Sequence, residues 1–552
     1  MGNFTRRQFL GNAVLATAGL PLFARSSRAT DSKIEILLNE PIGTINPNIY
    51  GHFVEHLGAV VYDGIWVGEN SKIPNYFGIR KDLVDALKRI KAPVIRYPGG
   101  CFADSYDWRD GIGDQAKRPR RTNFWQDINP KEVPANSTSR FEPNTFGTNE
   151  FIKFCQLTGA EPYLAANLRS LPAQAFNEWV EYCNSPAGTT TYAEMRAKGN
   201  LGSEKPFNVS FWGIGNETWG CGGNLTPDEY AQEFRRFTAA VATYGVPLKF
   251  IGAGAESYDM NWTRGFFSKM KEKGESIFSK LYGWGIHHYS WNVSGGRTTD
   301  WVKGKGDALK FDREQYFELL NQGNDLDDLI KKHWAIMGEY DTTHRGKIIV
   351  DEWGSWHAPG TELKPEHLLG QQNTMRDALL ASLSLDIFNR HADKVMMANI
   401  AQLVNCLQSL FLADGDKFLL TPTYYVFEMF ASHIGAESVR TVFSSPSIQY
   451  ERNSKPDSFW GLQGSASRNG KELTLTVTNP HPTEMRSTEI LLDKAKSRAI
   501  HATVLFAKDS QSHNTFENPS NVRPREKPIK AEGSIVFNFS PTSVTKLSIT
   551  LV

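Results

Sequence analysis

Eight short apolar runs recur between positions 49 and 402, separated by stretches whose apolar residues return every three or four positions. The runs are Ile49–Glu55, Val94–Tyr97, Pro162–Asn167, Val209–Asn216, Lys249–Ala255, Tyr282–His288, Ile348–Asp351 and Val395–Gln402. The helical periodicity is clearest in Lys81–Ile90, Thr148–Leu157, Pro227–Tyr244 and His367–Asn389. Strands alternating with helices predict a parallel sheet, and eight such units predict a closed (β/α)8 TIM barrel. A doubly wound open sheet is the alternative, but it usually has fewer strands and a phosphate-binding glycine fingerprint that this sequence lacks.

Past Pro422 the pattern changes to short alternating segments such as Glu472–Val477, Ala499–Leu505 and Val544–Leu551, which predict a jelly-roll-like β-sandwich. Lys33–Leu38, ahead of the first barrel run, has the same period and is expected to join it. Ser510–Lys530, rich in Asn, Pro, Arg and Glu, is expected to be a long exposed loop. The expected organisation is thus a strand within 30–45, a barrel over 46–421 and a sandwich over 422–552. Residues 1–29 stand apart: Thr5-Arg6-Arg7-Gln8-Phe9-Leu10 precedes a modestly apolar stretch and resembles a twin-arginine export signal. Ser27-Arg28-Ala29 fits a small-x-small cleavage site, so this segment predicts a periplasmic or secreted protein whose mature chain begins at Thr30. No stretch is apolar for long enough to span a bilayer comfortably.

Charge narrows the partner. Lys plus Arg total 61 against 60 for Asp plus Glu, a balance that offers no general attraction to nucleic acid or acidic membranes. A neutral partner is expected. Several of the 14 Trp sit beside polar loop residues, where flat rings can stack on sugars. The five cysteines are odd in number and include no C-x-x-C pair, so neither a zinc site nor a disulfide framework is expected. Cys155 and Cys183, on predicted helices, read as small buried hydrophobes.

In a barrel of this kind the active site lies at the C-terminal ends of the strands. Those ends carry Glu55, Arg96, Asn167, Asn216 with Glu217, His287 with His288 and Tyr289, Glu352, and Gln402. Either glutamate of the pair Glu217 and Glu352 would, alone, be an ordinary polar loop residue. Together, aimed at one sugar, they match the needs of glycoside cleavage: an acid to protonate the leaving oxygen and a carboxylate to support charge at the anomeric carbon. His287 and His288 are adjacent on a strand and point to opposite faces, and His52 and His56 lack an H-E-x-x-H frame. No metal or cofactor is expected. The basic segment Lys117-Arg-Pro-Arg-Arg121 reads as a solvated loop, or else as an attractor of uronic-acid decorations.

The motifs Ile49-Tyr-Gly-His-Phe-Val-Glu55-His-Leu-Gly, Arg96-Tyr-Pro-Gly-Gly-Cys-Phe, Asp107-Trp-Arg-Asp-Gly-Ile-Gly113, Gly213-Ile-Gly-Asn-Glu217-Thr-Trp-Gly-Cys-Gly-Gly, His287-His-Tyr289, Asp351-Glu-Trp353 and Ala401-Gln-Leu-Val-Asn405 resemble glycoside hydrolase family 51, the α-L-arabinofuranosidases, over nearly the whole chain. The resemblance implies a retaining enzyme with Glu217 as acid/base and Glu352 as nucleophile. It implies that Glu55, Asn216 and Gln402 hold sugar hydroxyls, that Arg96 sits close to the nucleophile, and that Tyr289 contacts and orients it. Trp356 is the best candidate for touching sugar. For Trp219 and Trp353 packing is expected, and Trp108 is ambiguous. One departure is Cys101, where some relatives carry a sugar-binding asparagine; it is expected to line the pocket as a thiol or as a small apolar wall. The implied partner is an arabinose-containing oligo- or polysaccharide of the plant cell wall, and relatives assemble into hexamers or other oligomers. β-Xylosidase or endo-glucanase action on the same scaffold, and an inactive sugar-binding protein, are the rival readings.

Overall fold

The computed structural model describes residues 30–294, 298–529 and 535–552. The export-type segment read at residues 1–29 lies outside them. Eight parallel strands close into a barrel: β1 (Gly51–Phe53), β2 (Val94–Tyr97), β3 (Glu161–Ala166), β4 (Phe211–Ile214), β5 (Lys249–Glu256), β6 (Leu281–Ser290), β7 (Lys347–Ser355) and β8 (Val395–Ile400). Each pairs with its neighbours in sequence, and β8 returns to β1. Val94, Tyr163, Phe211, Ile251, Ile349 and Met397, from six different strands, fill one level of the barrel interior. The polar residues lie above that plug, towards the strand ends.

Helices surround the barrel where the 3.6-residue period leads. Two predicted helices differ in extent. Pro227–Thr238 stops before Ala240, whose φ of +52° cannot continue a helix. Met375–Arg390 begins later than His367 because Thr374 and Asp377 form a capping box there. The longest described helix, Arg313–Tyr340, starts from a second box in which Asp312 accepts from the Gln315 backbone N–H.

The C-terminal strands form one nine-stranded sheet in the order Arg525–Pro528, Ser497–Phe506, Ser543–Leu551, Glu472–Asn479, Gln463–Asn469, Glu437–Ser444, Ser32–Thr44, Arg486–Leu491 and Ile535–Phe539. Ile500 and Ala502, near one edge, share a core with Phe537 and Phe539 from the other, so the sheet curls into a sandwich. The N-terminal strand lies inside it, antiparallel to Glu437–Ser444 and parallel to Arg486–Leu491. Helix Met375–Arg390 joins barrel to sandwich. Its Asp386 accepts from the hydroxyls of Ser465 and Thr476, and burial pushes its carboxyl up to about 7 despite these donors.

Two expectations need correction. The segment from Ser510 is not simply an exposed loop. Its carbonyls at Ser510 and Ser512 accept from the first turn of helix Met375–Arg390, and Asn514 is buried against Leu420 and Val522. Those free N–H groups at a helix start need acceptors, and this segment supplies them. Second, Cys101 and Cys221 form a disulfide with Cα atoms 5.6 Å apart. They lie 120 residues apart in sequence, on the loops after β2 and β4, which the pairing of both strands with β3 brings together.

Candidate active site

Glu352 and Asp351 are consecutive yet both face the barrel interior. The β6–β7 register slips between the pairs Ile286↔Val350 and His287↔Glu352, leaving Asp351 as the extra residue of a bulge. Arg96, from β2, is buried between them. Its guanidinium donates to Glu352 Oε1 at 2.6 Å and to Asn216 Oδ1 at 2.6 Å, and lies 3.5 Å from Asp351. Asp351 also accepts from Tyr163 and Asn399, which fixes the platform beneath Glu352.

The other Glu352 oxygen accepts from the Tyr289 hydroxyl at 2.7 Å. Burial opposes ionisation of Glu352, but the charges of His287 and Arg96 and the bonds from Arg96 and Tyr289 outweigh it. The carboxyl is held below its ordinary range. Glu352 is thus set as an anion with both oxygens oriented.

Glu217 follows β4 in a different setting. Its φ of +39° is a left-handed conformation that costs a non-glycine residue on the order of 1–2 kcal/mol, and it turns the side chain back over the barrel mouth. Asp104 anchors this turn, accepting from the backbone N–H of Asn216 as well as those of Leu168 and Arg169. His287 Nδ1 lies 2.9 Å from Glu217 Oε1 and 3.6 Å from Glu352 Oε2, bridging the two carboxylates. Burial disfavours the charged imidazole, but the two glutamates more than offset this and raise its pKa. One oxygen of each glutamate and Nδ1 all fall within 4.8 Å of one another. Such a trio also resembles a cation site, yet the Arg96 guanidinium already occupies the Glu352 side with positive charge.

Glu55 closes the opposite wall. It accepts from Phe102 N, Trp125 Nε1 and Gln402 Nε2, and burial, aided by the Glu352 charge, pushes its carboxyl up to about 7 against these donors. A Cβ at Gly99, where φ is +147°, would meet Glu55 Cγ at 2.4 Å, so only glycine lets the chain pass this close. Gln402 keeps its buried Oε1 without a protein partner among the described residues. The Trp356 ring stands edge-on to Tyr289 at 5.1 Å.

A (β/α)8 barrel carrying paired glutamates is common to many hydrolases, and the comparisons with known proteins narrow it. Sequence models of the "Alpha-L-arabinofuranosidase 1 domain" and the "Alpha-L-arabinofuranosidase C-terminal domain" match residues 86–294 and 351–543. An intracellular exo-α-L-arabinofuranosidase of Bacteroides ovatus is 35% identical, covering 93% of this chain and 94% of its own. The chain belongs to glycoside hydrolase family 51, the α-L-arabinofuranosidases. The crystal structure of the family 51 arabinofuranosidase of Xanthomonas axonopodis pv. citri superposes with a TM-score of 0.84 at 33% identity, covering 94% of this chain and 99% of that one. An intracellular exo-α-(1→5)-L-arabinofuranosidase of Acetivibrio thermocellus is 31% identical over 73% of this chain and 76% of its own. This family 51 arabinofuranosidase is therefore a glycoside hydrolase acting on arabinose-containing carbohydrate. The expectation of export is overturned by these relatives: the Bacteroides and Acetivibrio proteins are both described as intracellular.

The structure brings together Glu217, Glu352, Glu55, Arg96, Asn216, Tyr289 and Gln402, with Trp356 beside Tyr289. Cys101 is not a free thiol: its disulfide with Cys221 places both sulfurs 3.6–3.8 Å from Glu217 Oε2, as a proton-less wall. Asn167 stands aside, bonded to Tyr106 and Ser170. Trp353 packs on Phe388 and Phe427, and Trp108 stacks on Trp179, so both build the scaffold. His288 faces away, towards Ser257 and Gln322. Sequence reasoning left out of the site His287 as a bridge, Trp125, Asp104 and Asp351. His287 was legible from its inward parity on β6. Trp125 was not, since it arrives from a loop with no period.

Proposed function

We propose that the enzyme releases terminal α-L-arabinofuranose with retention of configuration, Glu352 acting as nucleophile and Glu217 as acid/base. The observation that carries this reading is the proximity of the two carboxylates, with oxygens within 4.8 Å and His287 between them. Retaining glycosidases need carboxyl groups about 5–5.5 Å apart, whereas inverting enzymes leave room for a water. In the first step a Glu352 oxygen bonds to the anomeric carbon as Glu217 gives its proton to the departing oxygen. In the second, Glu217 takes a proton from water, which displaces Glu352 and frees arabinose. Arg96 and Tyr289 hold the attacking carboxylate. Asn216, Glu55 and Gln402 offer donors and acceptors to the sugar hydroxyls, and the unpartnered Gln402 oxygen suits a hydroxyl proton. Arabinan, arabinoxylan and their oligosaccharides fit as sources of the sugar; the α-(1→5) specificity of the Acetivibrio relative supports arabinan.

Proton NMR of arabino-oligosaccharide hydrolysis tests this directly. Early α-arabinofuranose is expected with the wild type and none with Glu352→Ala. Early β-anomer would replace retention by inversion, and no arabinose release would remove the substrate assignment.

A further inference from the structure

Lys305 Nζ lies 4.1 Å from the ring centre of Trp301 and 4.3 Å from that of Trp356. The two indoles meet edge to face at 4.7 Å, so the ammonium sits in an aromatic corner. Trp356 also touches Tyr289, which holds Glu352. Lys305, Trp356, Tyr289 and Glu352 thus form one continuous line of contacts.

The charge on Lys305 is unmatched. It is half-buried, and among the described residues it has no carboxylate partner. Burial with no neighbouring charge to oppose it pushes its ammonium down to about 8. The basic loop after β2 is the opposite case: Lys117 pairs with Asp114, Arg118 is buried against Glu150, and Arg121 binds Asp110. Those cations are already engaged. Ring faces compensate a cation by only about 0.5–2 kcal/mol, and a carboxylate would compensate it further.

We propose that Lys305, with Trp301 and Trp356, forms a leaving-group subsite that takes a negatively charged sugar, a uronate adjoining the scissile arabinofuranosyl bond. The two indoles hold the ammonium in place, and the ammonium pairs with the sugar's carboxylate. This proposal rests on the arabinofuranosidase reading above.

The test compares kcat/KM on an arabinofuranosyl uronate as the free acid and as its methyl ester, which have nearly the same shape but differ in charge. At about pH 6 lysine and uronate are both ionised. The wild type is expected to prefer the acid about tenfold, the worth of one partly exposed charge-assisted bond. That ratio should fall to about one in Lys305→Met, whatever happens to the absolute rates, and should persist in Lys305→Arg. If Lys305→Met does not fold, a salt titration of the wild type replaces it, and the ratio should shrink as salt screens the pair. A ratio near one in the wild type, an unchanged ratio in Lys305→Met, or a ratio indifferent to salt overturns the subsite. Arabinose release from neither form overturns the hydrolase reading with it, whereas equal release from both overturns the subsite alone.

Discussion

The ends of β4 and β7 present the same side chain in two electrostatic settings. Glu352 is 6% exposed and clamped by Arg96 and Tyr289. The Glu217 side chain is 19% exposed, held by His287 on one oxygen and flanked by disulfide sulfurs on the other. The first is a fixed anion; the second keeps an oxygen free of strong donors and open to solvent, as a group that must carry a proton in each direction requires. Strand ends alone do not produce this division. A bulge and a buried arginine produce one half, a strained turn and a disulfide the other.

Removing each proposed catalytic group should expose the asymmetry. Glu352→Ala is expected to lower kcat on every arabinofuranoside on the order of 10⁴-fold or more, because nothing replaces the covalent step. Glu217→Ala should cost about 10²–10⁴-fold on oligosaccharides but far less in the first step on 4-nitrophenyl arabinofuranoside, whose leaving group departs without a proton. Equal losses on both substrates in Glu217→Ala would dissolve the distinction between the two carboxylates.

The clamp on Glu352 is tested next. Tyr289→Phe deletes one bond to a buried anion, worth about 1.5–3 kcal/mol, so kcat/KM should fall about 10–100-fold. The acidic limb of the pH–rate profile should move to higher pH, since that bond helps hold Glu352 ionised. A rate loss with an unmoved limb would reduce Tyr289 to a packing residue.

On the Glu217 side the disulfide bears on stability more than on rate. Closing a 120-residue loop stabilises by about 3–5 kcal/mol in the chain-entropy account, so reduction should lower Tm. Disulfides persist or are lost according to the redox compartment, which makes the redox state worth counting directly. Alkylation of the purified, unfolded protein without reductant should label Cys155, Cys183 and Cys406 alone. Labelling of all five cysteines would show that the bond is absent.

Much of this was legible in the sequence, for identifiable reasons. Barrel strands have period and length, and the C-terminal-end rule picks out Glu55, Arg96, Glu217, Tyr289, Glu352 and Gln402 from the pattern. What escaped depends on long-range closure or on local exceptions to period. Cys101 and Cys221 meet only once β2 and β4 have paired on either side of β3. Asp351 faces inward only because the register slips. The carbonyls after Ser510 are ordered by a helix start more than a hundred residues earlier. The helix at Arg313, marked by the local box of Asp312 and Gln315, was not among the helices read from the sequence.

The smallest effect contrasts Glu352 with a third carboxylate in the same cavity. Glu55 is raised to about 7 by burial, where Glu352 is depressed by its cationic neighbours, so the two make stability respond to pH with opposite sign. A depressed carboxyl contributes stability above its unfolded pKa of about 4.3 and loses it as pH falls through the folded value. A raised carboxyl contributes fully below about 4.3 and loses its contribution as pH rises through about 7. Thermal melts at pH 5, 6.5 and 8 should therefore show Glu55→Gln gaining on the wild type as pH rises, by a few kcal/mol at most, since one pKa unit is about 1.4 kcal/mol. Parallel curves for the two proteins would mean that Glu55 is already ionised at pH 5, and that the wall opposite Glu352 repels the Glu352 charge instead of sharing a proton with the sugar.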